Sequence, residues 1–301
     1  MNGFLNVYKP EGMSSAAVVG VIRRLSGEKR VGHAGTLDPA AAGVLPIMVG
    51  KATRLFDYLT DREKEYVTVA AFGAGTDTQD ATGTVIRTGE NYPDAGEVRA
   101  KLPLLTGEIR QVPSMYSAIK VNGKRLYAMA RRGEQAEVPE RIVHIERIEL
   151  LREMPDHGFE LRVVCGKGTY IRTLCHDLGE LCGCPAHMRS LVRTRSGMFS
   201  AENAIPLDMA RQLAEEGRLA ERLLPLDAPL QGMHRMDAPA WLTKRVSAGA
   251  ALPLEKMRGE VPEEGAPVRV YLEGIFQGIA RRQQEELVWR AVLSPERTDP
   301  C

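Results

Sequence analysis

The spacing of apolar residues along this chain changes period several times. Over residues 15–25, Val18, Val19, Ile22 and Leu25 share one helical face, and the pair Ser14 and Ser15 stands where an N-cap is needed. The segment "KATRLFDYL" predicts a second short helix. "YVTVAAFGAGTDTQDATG" starts as a strand and ends in a turn rich in Gly, Thr and Asp, suited to a loop that faces a substrate. In "FELRVVC", residues 159–165, Phe159, Leu161, Val163 and Cys165 alternate as in a half-buried strand. From 171 onward the period becomes helical through Ile171, Leu174, Cys175, Leu178 and Leu181, with Gly183 as a C-terminal stop. Residues 201–237 carry seven acids against four bases and predict a solvated helical connector. Beyond it, "APVRVYLEGIFQGIARR" and "ELVWRAVL" predict short strands joined by glycine turns, hence a small β-rich domain from about residue 235.

A chain of 301 residues suits one large domain, or one large and one small. Charge is balanced, 40 Lys and Arg against 39 Asp and Glu, so any affinity for nucleic acid must come from how the bases are distributed. That distribution is uneven. Arg110 to Arg132 holds six Lys or Arg and no acid, with Tyr116 and Tyr127 interleaved, a texture that suits phosphates and stacked bases. "HMRSLVRTRSGMF" adds Arg189, Arg193 and Arg195, again without an acid. Either stretch alone reads equally well as a solvated basic face. The five cysteines, Cys165, Cys175, Cys182, Cys184 and Cys301, lack paired spacing for a disulfide framework or a zinc knuckle, and a reducing, cytoplasmic setting is expected. No signal-like N-terminus and no apolar run of membrane-spanning length is apparent.

One acid stands out, Asp38 in "GHAGTLDPAAAGVLP", among small and apolar neighbours. Pro39 biases it toward extended backbone and places it in a loop, where a turn or capping aspartate is the plainest reading. Arg172, in "GKGTYIRTL", opens a helix and could pair with a carboxylate from another segment, holding that carboxylate ionised and oriented; a surface arginine reads there as well. Tyr66 and Tyr170 fit either base stacking or the edge of a core. "GAGTDT" has Thr78 where a dinucleotide-binding fingerprint needs its third glycine, and "DTQDATG" has Gln79 and Ala81 where a calcium loop alternates oxygen ligands. The six histidines show no metal spacing, so neither metal nor cofactor is expected.

Together, "GHAGTLDPAAAGVLPIMVGKATRL", "KEYVTVAAFGAGTDTQDATG", "SAIKVNGKRLYAMAR", "GKGTYIRTLCHDLGE" and "LVRTRSGMF" resemble, in order and spacing, the TruB family of bacterial synthases that make pseudouridine at uridine 55 in the T loop of tRNA. The likeness runs from about Lys9 to Phe199. It implies an α+β pseudouridine synthase fold on a mixed, largely antiparallel central sheet over residues 1–234, followed by a small β-rich, PUA-like RNA-binding domain over 235–301.

By this resemblance Asp38 is the catalytic aspartate, acting as nucleophile or base, and Arg172 its partner. Tyr66 stacks on the target uracil and assists removal of the C5 proton. Leu191 lines the base pocket, Tyr170 adds a substrate contact, and His33 supports the T loop once the uridine has flipped out. Small residues beside Asp38 would let the flipped nucleotide come close. Tyr8, Ser14 and Ser114 depart from the family's usual acid, threonine and second proline, all outside the catalytic set. A monomer clasping the T arm is expected. Two other readings stay open: an RNA-binding or RNA-folding module whose role does not need catalysis, and a synthase with another RNA target.

Overall fold

A computed structural model describes residues 1–60, 62–117, 119–121 and 123–293. Cys301, the end of the expected C-terminal domain, and Ala118 and Asn122 of the basic segment lie outside the described residues.

The main sheet has ten strands, eight of them in the order Ile205–Pro206, Gly3–Lys9, Ala41–Val49, Ala186–Ser196, Lys64–Phe72, Gly158–Cys165, Arg141–Met154, Gly107–Gln111. Two pairings are parallel, Gly3–Lys9 with Ile205–Pro206 and Ala41–Val49 with Ala186–Ser196. The others along this order are antiparallel, so the sheet is mixed and largely antiparallel, as expected.

Helices cover the sheet according to its alternation. On one face Leu5, Val7, Leu45, Ile47 and Val49 meet the helices Ser15–Ser26 and Leu207–Glu215. On the opposite face of the same strands Phe4, Val44 and Met48 join Leu55, Leu59, Ile279 and Ala291 in one cluster, which fastens the C-terminal β unit to the large domain. Farther along the sheet Tyr66, Ala70, Leu161 and Val163 pack against Leu174, Cys175 and Leu178 of the helix Ile171–Cys182.

That helix ends at Gly183 in the left-handed conformation, φ 70°, as its sequence predicts. Leu181, assigned to its apolar face, is exposed instead. The first helix is capped by Ser14 alone, whose hydroxyl accepts from the Ala17 amide; Ser15 turns inward to the Asp38 loop. "KATRLFDYL" is split, a 3₁₀ segment Gly50–Leu55 running into a helix Phe56–Thr60.

Residues 201–237 depart most from expectation. Instead of a solvated connector they supply an edge strand, Ile205–Pro206, and a helix whose Leu207, Ala210 and Leu213 are buried in the core. Three apolar residues at i, i+3 and i+6 suffice for a buried stripe, although acids dominate the surrounding composition.

The C-terminal sheet has five strands in the order His234–Ala238, Pro267–Leu272, Ile275–Gln283, Glu286–Val292, Leu252–Pro253, over a core of its own that includes Met236, Val268, Val270 and Leu287. No helix is long and apolar enough to cross a membrane among the described residues.

Candidate active site

Asp38 lies in the loop between the strands Val31–His33 and Ala41–Val49, and that loop is pinned on both sides of it. The Ser15 hydroxyl accepts from the Leu37 amide at 2.8 Å and donates to the Leu37 carbonyl at 2.9 Å. After Asp38, the Pro39 carbonyl accepts from the Gly12 amide at 2.8 Å and from Lys9 Nζ at 3.2 Å. The same ammonium donates to the carbonyls of Pro10 (2.8 Å) and Met13 (2.6 Å), so all its donors hold backbone. Burial pushes the Lys9 ammonium down to about 8, while the Asp38 and Glu11 carboxylates pull it up. Between these anchors the Asp38 side chain remains 42% exposed, an accessible carboxylate on a fixed backbone.

Its partner is Arg172, in the first turn of the helix Ile171–Cys182: Arg172 Nε lies 3.1 Å from Asp38 Oδ2. The rest of the guanidinium is committed elsewhere. Nη1 donates to the Thr78 carbonyl at 3.1 Å and sits 3.5 Å from Asp80 Oδ2, and Nη2 donates to the Tyr116 carbonyl at 3.0 Å. Asp80 Oδ1 accepts from the Thr78 and Thr82 hydroxyls and the Thr82 amide, at 2.8, 2.6 and 3.0 Å. The loop after the strand Ala74–Thr76 thus grips the arginine that faces Asp38. A guanidinium with a partner at each of its three nitrogens has one orientation, and the carboxylate it faces inherits it.

A cleft of about 340 Å³ opens at this pair and is lined by Asp38, Tyr66, Tyr170, Arg172 and Leu191, with Lys64 and Arg193. Five of the six residues singled out in the sequence therefore share one cavity. Tyr66 is buried on the central strand opposite Arg193, which donates to its phenol. Burial, against the opposing pull of the Arg193 charge, holds that phenol above its ordinary value, so it is neutral at neutral pH. Tyr170 caps the helix that carries Arg172. Its amide and carbonyl are bracketed by the Gln111 side chain at 3.0 and 3.2 Å, and the Arg141 guanidinium lies 5.5 Å from its ring centre.

His33 is not in this cavity. It pairs with Ile47 and lines a separate shallow cleft with Arg23, Thr53 and Phe56. Burial, and Arg193 after it, hold the imidazole below its usual value. Arg193, taken in the sequence as part of a basic face, is 1% exposed: Nε donates to the Val44 carbonyl at 2.7 Å and Nη2 to the Gly35 carbonyl at 3.1 Å. Arg195 pairs with Glu63. Of the second basic stretch, Arg193 is therefore spent inside the protein and Arg195 is paired at the surface. In the first stretch Lys120, Lys124, Arg125 and Arg131 are exposed, and Arg125 and Arg131 flank the Tyr127 ring at 6.0 and 5.7 Å.

Gly43 also serves the fold more directly than a substrate. Its φ is +108°, and a Cβ there would stand 2.2 Å from the Arg193 carbonyl oxygen. The residues that sequence reasoning missed are Lys9, Asp80 and the buried Arg193. Each acts on Asp38, Tyr66 or Arg172 from a distant segment, and only Asp80, in the Gly, Thr and Asp-rich turn "TDTQDATG", lay in a segment with a local signal.

No His, Cys, Asp and Glu cluster able to hold a metal ion occurs among the described residues. The four described cysteines are free thiols, and burial pushes Cys165 to about 11 and Cys175 to about 12.

Comparison with known proteins follows the same residues. The description "TruB family pseudouridylate synthase (N terminal domain)" matches residues 23–171, and "tRNA pseudouridylate synthase B C-terminal domain" matches 172–231. The chain is 41% identical over 290 residues to tRNA pseudouridine synthase B of Alkaliphilus oremlandii, covering 95% of each. It is 41% identical over 279 residues to the protein of the same name from Bacillus subtilis, covering 91% of this chain and 90% of that one. Among solved structures, a chain of a Cbf5-Nop10-Gar1 complex superposes with a TM-score of 0.72 at 26% identity, over 93% of this chain and 78% of that one. With two domain descriptions spanning most of the sequence and relatives this similar along nearly their whole length, the chain belongs to the TruB family of pseudouridylate synthases.

Proposed function

We propose that this protein isomerises uridine to pseudouridine in tRNA, at position 55 of the T loop, with Asp38 as the catalytic carboxylate. The observation that carries this reading is the Asp38–Arg172 pair at 3.1 Å, at the mouth of a cleft that also holds Tyr66 and Leu191.

The reaction breaks the bond from uracil N1 to ribose C1′ and forms one from C5 to C1′. C5 gives up a proton and N1 gains one, with no net redox change and no hydrolysis. Asp38 is the one carboxylate lining the cleft among the described residues, and it serves as nucleophile at C1′ or C6 or as base toward the 2′ proton. Arg172 fixes its direction. Tyr66 stacks on the uracil while the base turns, and Leu191 and the Tyr170 ring keep it within the cleft. Since burial keeps the Tyr66 phenol protonated, it takes the C5 proton only as its own O–H proton passes to solvent in the cleft. His33, from its separate cleft, supports the T loop after the uridine leaves the stack, which costs a few kcal/mol of stacking. The exposed bases around Tyr127 supply phosphate contacts. Residues 1–234 form the catalytic unit and 235–301 a PUA-like RNA-binding unit, in a cytoplasmic monomer that grasps the T arm.

The test is release of tritium from C5-labelled uridine in a tRNA transcript, with the modified position mapped. Wild-type protein should release it without added metal or nucleotide, and Asp38→Asn should not. An unmodified transcript after prolonged incubation with wild type refutes the activity, and normal turnover by Asp38→Asn refutes the mechanism. Equal rescue of a deletion strain by both proteins would show that RNA binding, not catalysis, is the role that matters.

A further inference from the structure

A second cleft, of about 650 Å³, lies at the seam between the large domain and the C-terminal sheet and is lined by Arg54, Arg62, Arg281 and Arg290, with Tyr58 and one carboxylate, Asp57. From this seam we infer a binding site for backbone phosphates of the RNA whose uridine occupies the Asp38 cleft, a proposal that rests on the RNA-modifying function above.

Among the described residues, four guanidiniums face one carboxylate in this cleft and leave it positive, and none of the four is in an ion pair. Elsewhere on this chain arginines commonly pair, as Arg110 does with Glu140, Arg152 with Glu160 and Arg218 with Glu221. Like charges gathered without a partner repel one another, and an anion in the cleft removes that cost.

Two of the arginines are already oriented. Arg54 donates across the seam to the Val292 carbonyl, and Arg62 Nη2 lies 3.5 Å from the Pro229 carbonyl. The other two rise from neighbouring strands of the C-terminal sheet. Arg290 is the unpaired residue of a bulge between the Ala280–Trp289 and Ile279–Ala291 pairs, and Arg281 is hydrogen-bonded to the Tyr58 hydroxyl. The apolar cluster that joins Leu55 and Leu59 to Ile279 and Ala291 holds both walls of the cleft together, so the backbones that carry the four arginines are fixed relative to one another.

Position selects RNA over a small anion. Thr60 and Lys64 line the Asp38 cleft, and Arg62, two residues from Lys64 and so within about 7 Å along the chain, lines the seam. A polynucleotide with one nucleotide at Asp38 reaches the seam a few phosphates further on. The planar fork of arginine suits that ligand.

The experiment compares wild type, an Arg281→Gln/Arg290→Gln double variant and an Arg281→Lys/Arg290→Lys double variant on full-length tRNA. It measures KM and kcat by tritium release and Kd by filter binding from 50 to 300 mM salt. Two lost phosphate contacts should reduce the slope of log Kd against log salt by about 2 and weaken binding about 10- to 100-fold at 0.1 M salt. KM should rise with Kd while kcat changes less than about twofold, and the lysine variant should recover most of the slope. A glutamine variant with wild-type slope and KM overturns the proposal. So does a variant that loses stabilisation by 10 mM inorganic phosphate yet binds tRNA normally, since the seam then takes the free anion. Wild-type protein that binds tRNA but releases no tritium overturns the proposed activity alone, because the salt slope still reads the seam.

Discussion

Asp80→Asn is the sharpest test of how the site works, because Asp80 lies behind Arg172 and not beside Asp38 in the cleft. Asparagine keeps the shape and can still accept at Oδ1 from Thr78 and Thr82, so the loop should fold as before. What disappears is the charge 3.5 Å from Arg172 Nη1. At an effective dielectric constant near 20 that contact is worth about 5 kcal/mol of gross attraction. Both partners have paid desolvation, and Arg172 keeps Asp38 and two carbonyls, so the net loss should be about 2 kcal/mol. If the guanidinium then turns away from Asp38, the loss falls on the transition state and slows kcat about 30-fold. Single-turnover tritium release gives that rate, and filter binding gives Kd, which should stay within about twofold. A kcat within a factor of two of wild type in a folded protein would refute the idea that Asp80 sets the direction of Asp38 through Arg172. A 30-fold rise in Kd with normal kcat would instead make Asp80 a binding residue.

Three further perturbations test the frame around the site. Lys9→Met leaves the carbonyls of Pro10, Met13 and Pro39 without their common donor and should cost about 3 kcal/mol, read as a thermal midpoint lower by about 5 °C or more; an unchanged midpoint would remove Lys9 as the anchor of the loop. Gly43→Ala should cost more than about 3 kcal/mol, because its Cβ would meet the Arg193 backbone at 2.2 Å at a φ of +108°, and soluble protein melting within 2 °C of wild type would contradict this. Asp177 concerns pH. Burial, then Glu180, raise its carboxyl to about 6 from 3.8, so between those values the folded state binds more protons than the unfolded, and stability falls as pH rises through that window. Asp177→Asn removes the cost, about 1 kcal/mol after allowing for its partial exposure; the thermal midpoint should rise by about 1.5 °C at pH 7.5 and not at pH 4, and equal gains at both would refute it.

Much of this was legible because the informative segments are short and regular. The helix from Ile171 shows its apolar face and its stop at Gly183, and Phe159 to Cys165 shows a strand whose alternate residues are indeed buried. The site's local motifs were legible for the same reason, since Asp38 and Arg172 each mark a turn with its own signature. The supporting shell was hidden. Asp80 reads as one more polar residue in a turn, and its partner Arg172 lies 92 residues further along. Arg193 sits in an arginine-rich stretch and looks solvated until the sheet order places its strand between two others. The segment 201–237 misled through composition, because its apolar stripe is only three residues wide.

The register of the sheet explains why distant motifs converge. Two neighbouring rungs, Ala41–Leu191–Thr68–Leu161 and Gly43–Arg193–Tyr66–Val163, run across four strands from the Asp38 loop to the strand that leads into the helix of Arg172. Asp38 is three residues before Ala41, and Arg172 seven after Cys165, which pairs with Lys64 at the cleft. Asp38 and Arg172 thus lie where the chain leaves the sheet and a side chain can project without breaking a ladder of backbone hydrogen bonds, while Tyr66 and Leu191 project from within the strands between them. The parallel pairing of Ala41–Val49 with Ala186–Ser196 is what aligns those rungs, and it brings backbone against backbone at Gly43. A change at Gly43 should therefore move Leu191 and Asp38 together, although it touches neither side chain.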